Sequence, residues 1–88
     1  MSTSSTAQEF PSEFPIKVMG RQGTDLRNLT QAIVERHAGP IADSQVKTRT
    51  SADGNFLALT YVVLATNRKQ LDDIYRELTA CKLVLMAL

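Results

Sequence analysis

Among these 88 residues, the stretch Gly20-Arg21-Gln22-Gly23-Thr24-Asp25 has the types and order to bind an anion. It runs from a strand-like segment into a helix-like one, where unpaired amides and the positive end of the helix dipole can receive a carboxylate or a phosphate. Arg21 would add a charge-assisted contact, so a small anionic metabolite is the effector this turn suits. The same residues also serve simply to reverse the chain, with Asp25 occupying part of the positive end itself. The turn is too short for a P-loop, lacks its Lys-Ser/Thr ending and does not match G-x-G-x-x-G, so neither nucleotide fingerprint is present. Its likeness to the GxxG loop of KH domains is superficial, since that loop joins two helices and this one follows a strand.

His37 and Cys81 are the only histidine and the only cysteine. A catalytic base needs a nucleophile and an orienting partner, and a metal needs further ligands; these two lie on separate elements with no such spacing. His37 reads as helix-end packing that complements the dipole, and Cys81 as the filling of a small apolar gap. No catalytic residue, metal or cofactor is expected. An enzyme would require a polar pocket around His37 with Asp43 or Glu35.

The elements that must position these groups follow from periodicity. Ile16-Lys17-Val18-Met19 alternates as a first strand after Pro11 and Pro15, and Gly20 closes it. Thr24 or Asp25 offers a cap to a helix in which Leu26, Leu29, Ile33 and Val34 recur on one side, and Gly39-Pro40 ends it. Ser44 to Ser51 is β-branched but polar, as an edge strand should be. Asp53-Gly54 is a hairpin signal leading into Phe56 to Ala65, the most β-prone run. Thr66 or Asn67 caps a second helix with Leu71, Ile74, Tyr75 and Leu78 as its apolar stripe, and Lys82 to Leu88 is a last strand. The order β-α-β-β-α-β predicts an α+β, ferredoxin-like sandwich: a four-stranded antiparallel sheet with two helices on one face. Residues 11–88 form this single domain, behind a Ser/Thr-rich tail over residues 1–10 that is expected to be disordered.

Alternation assigns Ile16, Val18, Val46, Leu59, Tyr61, Val63 and Ala65 to the helix-covered side, together with Val84, Met86 and Leu88 of the last strand. The other side then carries Met19, Phe56, Ala58, Val62, Leu64, Leu83, Leu85 and Ala87, interrupted by Lys17 and Thr60. A contiguous apolar patch of this kind on a small domain marks an interaction surface. Met19, Phe56, Val62, Leu64, Leu83 and Leu85 are therefore candidate interface residues. A homodimer formed through the sheet is the favoured use; an unidentified protein partner is the other, and cover by the tail or the Pro11 to Pro15 segment is the bland alternative.

Bulk composition narrows the classes. At 43% hydrophobic and 22% charged residues the chain resembles soluble globular proteins. A formal charge of +1 supplies no long-range field for nucleic acid or anionic lipid. An RNP1-like strand would be basic and aromatic, whereas Asp53-Gly54-Asn55-Phe56-Leu57-Ala58-Leu59 is acidic and aliphatic. Lys47, Arg49, Arg68, Lys69 and Arg76 look scattered, with acids among the last three, and read as a solvated helix face. One cysteine and a tail without basic cluster or apolar core fit a cytoplasmic protein with no membrane attachment.

The segments Glu13-Phe14-Pro15, Lys17-Val18-Met19-Gly20, Val34-Glu35-Arg36-His37-Ala38, Gly54-Asn55-Phe56, Ala65-Thr66 and Met86-Ala87-Leu88 together resemble the YbeD family of small bacterial proteins. The resemblance spans roughly Phe10 to Leu88, and Lys-Val-Met-Gly and Arg-His-Ala are its most specific parts. It implies a ferredoxin-like plait similar to ACT-type regulatory domains, which bind small effectors at strand-to-helix turns near a dimer interface. It implies no known reaction. ACT domains usually regulate an attached enzyme, and here the implied role is a regulatory or adaptor module standing alone.

Overall fold

The computed structural model describes residues 10–88; the expected tail lies outside the described residues except for Phe10, which packs half-buried against the core. The elements are β1 (Ser12–Arg21), α1 (Leu26–Ala38), a short 3₁₀ turn (Asp43–Gln45), β2 (Val46–Thr50), β3 (Phe56–Ala65), α2 (Arg68–Ala80) and β4 (Met86–Ala87). The strands form one antiparallel sheet in the order β2-β3-β1-β4. This is the ferredoxin-like α+β arrangement, with each strand-helix-strand unit crossing over an intervening antiparallel strand.

β1 starts earlier than the sequence suggests, at Ser12, because Pro15 costs the ladder nothing. Lys17 exchanges both backbone bonds with Leu88, so the odd-numbered amides of β1 point toward β4. β4 pairs only with Val18 and Met19, leaving no strand beside Pro15 to need its missing N–H. β1 also runs past Gly20 to Arg21. Gly20 is buried there, and a Cβ on it would lie 2.6 Å from the Leu83 carbonyl oxygen and 2.7 Å from a Leu26 methyl. The glycine is what lets the start of α1 and the segment before β4 close over the end of β1.

Both helices cover one side of the sheet, where Ile16, Val18, Leu59, Tyr61, Val63 and Ala65 meet Leu26, Ile33 and Val34 of α1 and Leu71, Ile74 and Leu78 of α2. Burying these side chains is the main stabilising term of the domain. Tyr61 carries the one long polar group into this layer. Its hydroxyl lies 2.7 Å from the Thr30 hydroxyl and donates to the Arg27 carbonyl at 3.2 Å, while Thr30 donates to the Leu26 carbonyl at 2.7 Å. No buried side-chain polar atom among the described residues is left without a partner.

Two expectations about faces are corrected. Leu29, placed on the buried stripe of α1, is exposed, and Thr30 takes the inward position because Tyr61 supplies its hydroxyl with a partner. The last strand is shorter and of opposite phase. Ala87 stands beside buried Val18 and Met86 beside exposed Met19, so Met86 and Leu88 belong to the open side and Ala87 to the helix side. Cys81 to Leu85 is turn and irregular chain, in which Leu83 and Val84 pack against the core while Leu85 is exposed. A segment apolar on both sides carries no phase, and its register is set by the backbone bonds to Lys17 and Met19.

The expected hairpin and stops are present. Gly54 adopts φ +79° and Gly39 φ +84°, conformations that disfavour any side chain. At the hairpin tip the Asp53 carboxylate accepts from the Ser51 hydroxyl at 2.6 Å and the Asn55 amide at 3.0 Å. These two bonds, the first the larger, hold its pKa below the usual carboxylate value. Asn67 caps α2 by accepting from the Gln70 amide at 2.8 Å.

Candidate functional site

The side of the sheet away from the helices is uncovered by any described element, and its composition can be read from the register. Directly opposed residues of antiparallel neighbours project to the same side. Lys17, Thr60 and Lys47 form one row across β1, β3 and β2; Met19, Ala58 and Arg49 form the next, with Met86 beyond Met19. Arg21 stands opposite Phe56 at one end, its guanidinium carbon 5.5 Å from the ring centre, within cation–π range. Pro15 with Val62 and Glu13 with Leu64 occupy the other end.

These residues enclose a shallow groove of about 580 Å³ whose floor is Met19, Ala58, Thr60 and Phe56 and whose rim includes Lys17, Lys47 and Arg49. A smaller apolar depression adjoins it at Met19, Ala58, Met86 and Leu88. Met19 is 39% exposed, Leu64 55%, Met86 50% and Leu88 66%. On a domain of this size, so much uncovered apolar surface on one face is unusual, where a single exposed Leu would mean nothing.

The cations divide by location. Arg27 pairs with Asp43, Arg36 with Glu77, Arg68 with Asp72, and Lys69 and Arg76 with Asp73, all on the helix side of the molecule. Among the described residues Lys17, Arg21, Lys47 and Arg49 of the open side have no carboxylate partner, nor has Lys82 in the turn after α2, and Glu13, at the far end, is the only acidic side chain on the open side. The near-neutral sequence therefore folds into a molecule with a basic sheet face. Lys47 and Arg49, on the edge strand expected from the sequence but read there as scattered charges, stand beside Lys17. What the sequence conceals is pairing: residues thirty positions apart become neighbours only through the register Lys17, Thr60, Lys47.

Of the candidate interface residues, Met19, Phe56, Val62 and Leu64 share the open side, Leu85 is exposed beside it, and Leu83 is turned inward against the core. Met86 and Leu88 belong with them and were assigned to the wrong side by alternation alone.

The turn from Gly20 to Asp25 joins this face to α1. Gly20 is used for close packing and Gly23 for its φ of +83°. Gln22 donates its amide to the Asn55 carbonyl at 2.9 Å, tying the turn to the start of β3. Thr24 donates to the Arg21 carbonyl at 2.8 Å, and Asp25 accepts from the Asn28 side chain at 2.8 Å instead of capping the helix amides. Arg21 is the one residue of the turn whose side chain reaches the open face.

His37 does not meet Asp43 or Glu35. Its Nε2 contacts the Glu77 carboxylate, which also receives Arg36, and its carbonyl accepts from Gln70, so it ties the end of α1 to α2. Glu35 is engaged by the Ile41 amide at 2.9 Å and Asp43 by Arg27. Cys81 ends α2, half-buried against the core. Among the described residues no group of His, Cys, Asp and Glu could hold a metal ion, and no helix is long and apolar enough to cross a membrane.

Comparison with known proteins places the chain. Residues 5–88 match the family described as "Protein of unknown function (DUF493)", and the chain belongs to it. It is 42% identical over 80 residues to a UPF0250 protein of Paraburkholderia phytofirmans, covering 91% of this chain and 90% of that one. It is 45% identical over 71 residues to a UPF0250 protein of Bordetella pertussis, covering 80% and 77%. The resemblance to YbeD-like bacterial proteins thus holds over most of the chain. Among solved structures the fold is similar to the C-terminal domain of the MgtC protein from Mycobacterium tuberculosis, with a TM-score of 0.59 over 93% of this chain and 89% of that one. At 12% identity this likeness speaks to fold alone.

Proposed function

We propose that the protein is a non-catalytic binding module of the cytoplasm, an adaptor or regulator that docks a partner protein on the open face of its sheet. The observation that carries this reading is the uncovered surface made by Met19, Ala58, Val62, Leu64, Met86 and Leu88, opposite a sheet side whose β1 and β3 residues pack beneath two helices. A groove floored by Met19, Ala58, Phe56 and Thr60, with Lys17, Lys47 and Arg49 on its rim and no histidine, cysteine or carboxylate in its lining, suits recognition.

A small anionic effector at Gly20 to Asp25 is the second reading, and Arg21 favours it. That side chain belongs to the turn and reaches Phe56, so an anion drawing Arg21 off the ring would alter the docking surface itself.

The experiment is photo-crosslinking inside the bacterium, with benzoylphenylalanine placed singly at Ala58, Leu64 or Met86 of the open face, or at Asp72 or Arg76 of α2. Docking through the face gives adducts from the sheet positions and none from the helix positions. The adduct's mass separates a homodimer from a different protein. Adducts from the helix alone, or from neither set, contradict the proposal.

A further inference from the structure

The geometry points to an acidic, extended segment of another protein as the occupant of the groove, an inference that rests on the reading of the open face as a docking surface. Its basis is the segregation of charge. Every described cation on the helices has a carboxylate within reach; of the five described cations that have none, Lys17, Arg21, Lys47 and Arg49 share one side of the sheet, and Lys82 lies in the turn after α2.

Protection of the sheet edge does not account for this set. Lysine or arginine on an edge strand discourages unwanted pairing, and that would explain Lys47 and Arg49 of β2. Lys17 lies on β1, an interior strand, and stands across Thr60 from Lys47 over the groove. A cation placed there lines the concavity and guards no edge.

A second copy fits poorly. Two copies stacked face to face would bring Lys17, Lys47 and Arg49 of each together with Glu13 as the only opposing acid. Antiparallel edge pairing of β2 with its counterpart, in the registers centred on Lys47, Thr48 or Arg49 that continue one face, would set Lys47 or Arg49 directly opposite Lys47 or Arg49 of the second copy, and like charges so placed are destabilising. Single-stranded nucleic acid needs successive stacking platforms, and Phe56 is the one aromatic ring on this face, already under Arg21.

An extended acidic chain meets both features of the groove. Lys47 and Arg49 are two residues apart along a strand, roughly 7 Å, which is also the spacing of alternate side chains in an extended peptide lying beside it. Acidic residues at alternate positions would meet Lys47 and Arg49 along β2. Apolar residues between them would rest on Met19, Ala58 and Phe56, and Lys17 would close the far rim. Charges on a rim of this kind set association rate and selectivity, and apolar contact below them sets residence time.

The test is fluorescence anisotropy of the purified chain with two labelled pools of eight-residue peptides, Glu at alternate positions in one and Gln in the other, with mixed apolar residues between. An oligodeoxythymidine of the same length is the third probe. Lys47→Glu with Arg49→Glu changes two exposed side chains on β2, and Lys82→Glu serves as a control at an exposed cation in the turn after α2. The expected result is saturable binding of the Glu pool, at least about tenfold tighter than the Gln pool and falling with added salt, weakened at least about tenfold by the double variant and unchanged by Lys82→Glu. Equal binding of both pools overturns the acidic occupant while leaving the docking face intact. So does tighter binding of the oligonucleotide, or failure of both pools while the sheet positions still crosslink in cells. Failure of both pools together with absence of those crosslinks removes the docking reading as well.

Discussion

The two sides of β3 are written in similar letters and meet different surroundings. Leu59, Tyr61, Val63 and Ala65 are sealed beneath the helices, while Phe56, Ala58, Thr60, Val62 and Leu64 on the same strand form the floor of an open face. Residue type alone does not separate them, since Val63 is buried and Val62 beside it is only partly covered. The difference lies in what sits opposite: one side has two amphipathic helices, the other has none. Apolar side chains on the covered side hold the fold together, and those on the open side are free to serve recognition.

Substitutions should separate the two sides, beginning with the largest effect. Leu59→Ala, at a fully buried site, is expected to cost about 2–5 kcal/mol, whereas Leu64→Ala on the same strand should stay within about 0.5 kcal/mol. Urea unfolding of the pair would show it, and equal losses would erase the distinction. Gly20→Ala comes next, at about 1–3 kcal/mol, because the new methyl would meet the Leu83 carbonyl and Leu26. The same denaturation series measures it, and a neutral outcome would mean that the close approach of these segments is not needed.

Tyr61→Phe is smaller, about 1 kcal/mol, since Thr30 keeps its bond to the Leu26 carbonyl and no buried donor is orphaned. Burial raises the Tyr61 pKa above 10.0, with the Thr30 hydroxyl opposing that shift less strongly. A raised folded-state value means that the phenol's contribution is fully present below the unfolded pKa, about 10, and is lost as pH rises toward the folded one. Thermal melts between neutral and strongly alkaline pH should therefore fall more steeply for the native chain than for Tyr61→Phe. Smallest on stability and largest on binding is Leu64→Lys on the open face, which should leave the urea midpoint nearly unchanged while removing the face-specific crosslinks.

The architecture was legible because its signals are local: alternation in Phe56 to Ala65, the Asp53-Gly54 turn, the helix stop at Gly39-Pro40 and the cap at Asn67 each act within a few residues. Legibility failed where a residue's role is set across the chain. Leu83 to Leu88 is apolar on both sides, so only its bonds to Lys17 and Met19 decide which residues face out. Leu29 fits the inward stripe by spacing, yet Thr30 takes that place because Tyr61 meets its hydroxyl. The basic face escaped notice for the same reason, since Lys17, Lys47 and Arg49 are joined by sheet register and by nothing in their sequence spacing. The turn from Gly20 to Asp25 was singled out for its glycines, and their packing and turn geometry give those residues a structural use of their own.

The most direct measurement is side-chain methyl NMR of the free protein with a soluble paramagnetic relaxation agent, repeated over a range of protein concentrations. If the open face is an unoccupied docking surface, the methyls of Met19, Leu64 and Met86 will broaden strongly at every concentration while those of Val18, Leu59 and Ile74 stay sharp. Protection of Met19, Leu64 and Met86 in dilute protein would show that the chain covers this face itself, and protection appearing only as concentration rises would show that a second copy does; either result contradicts an open surface reserved for another protein.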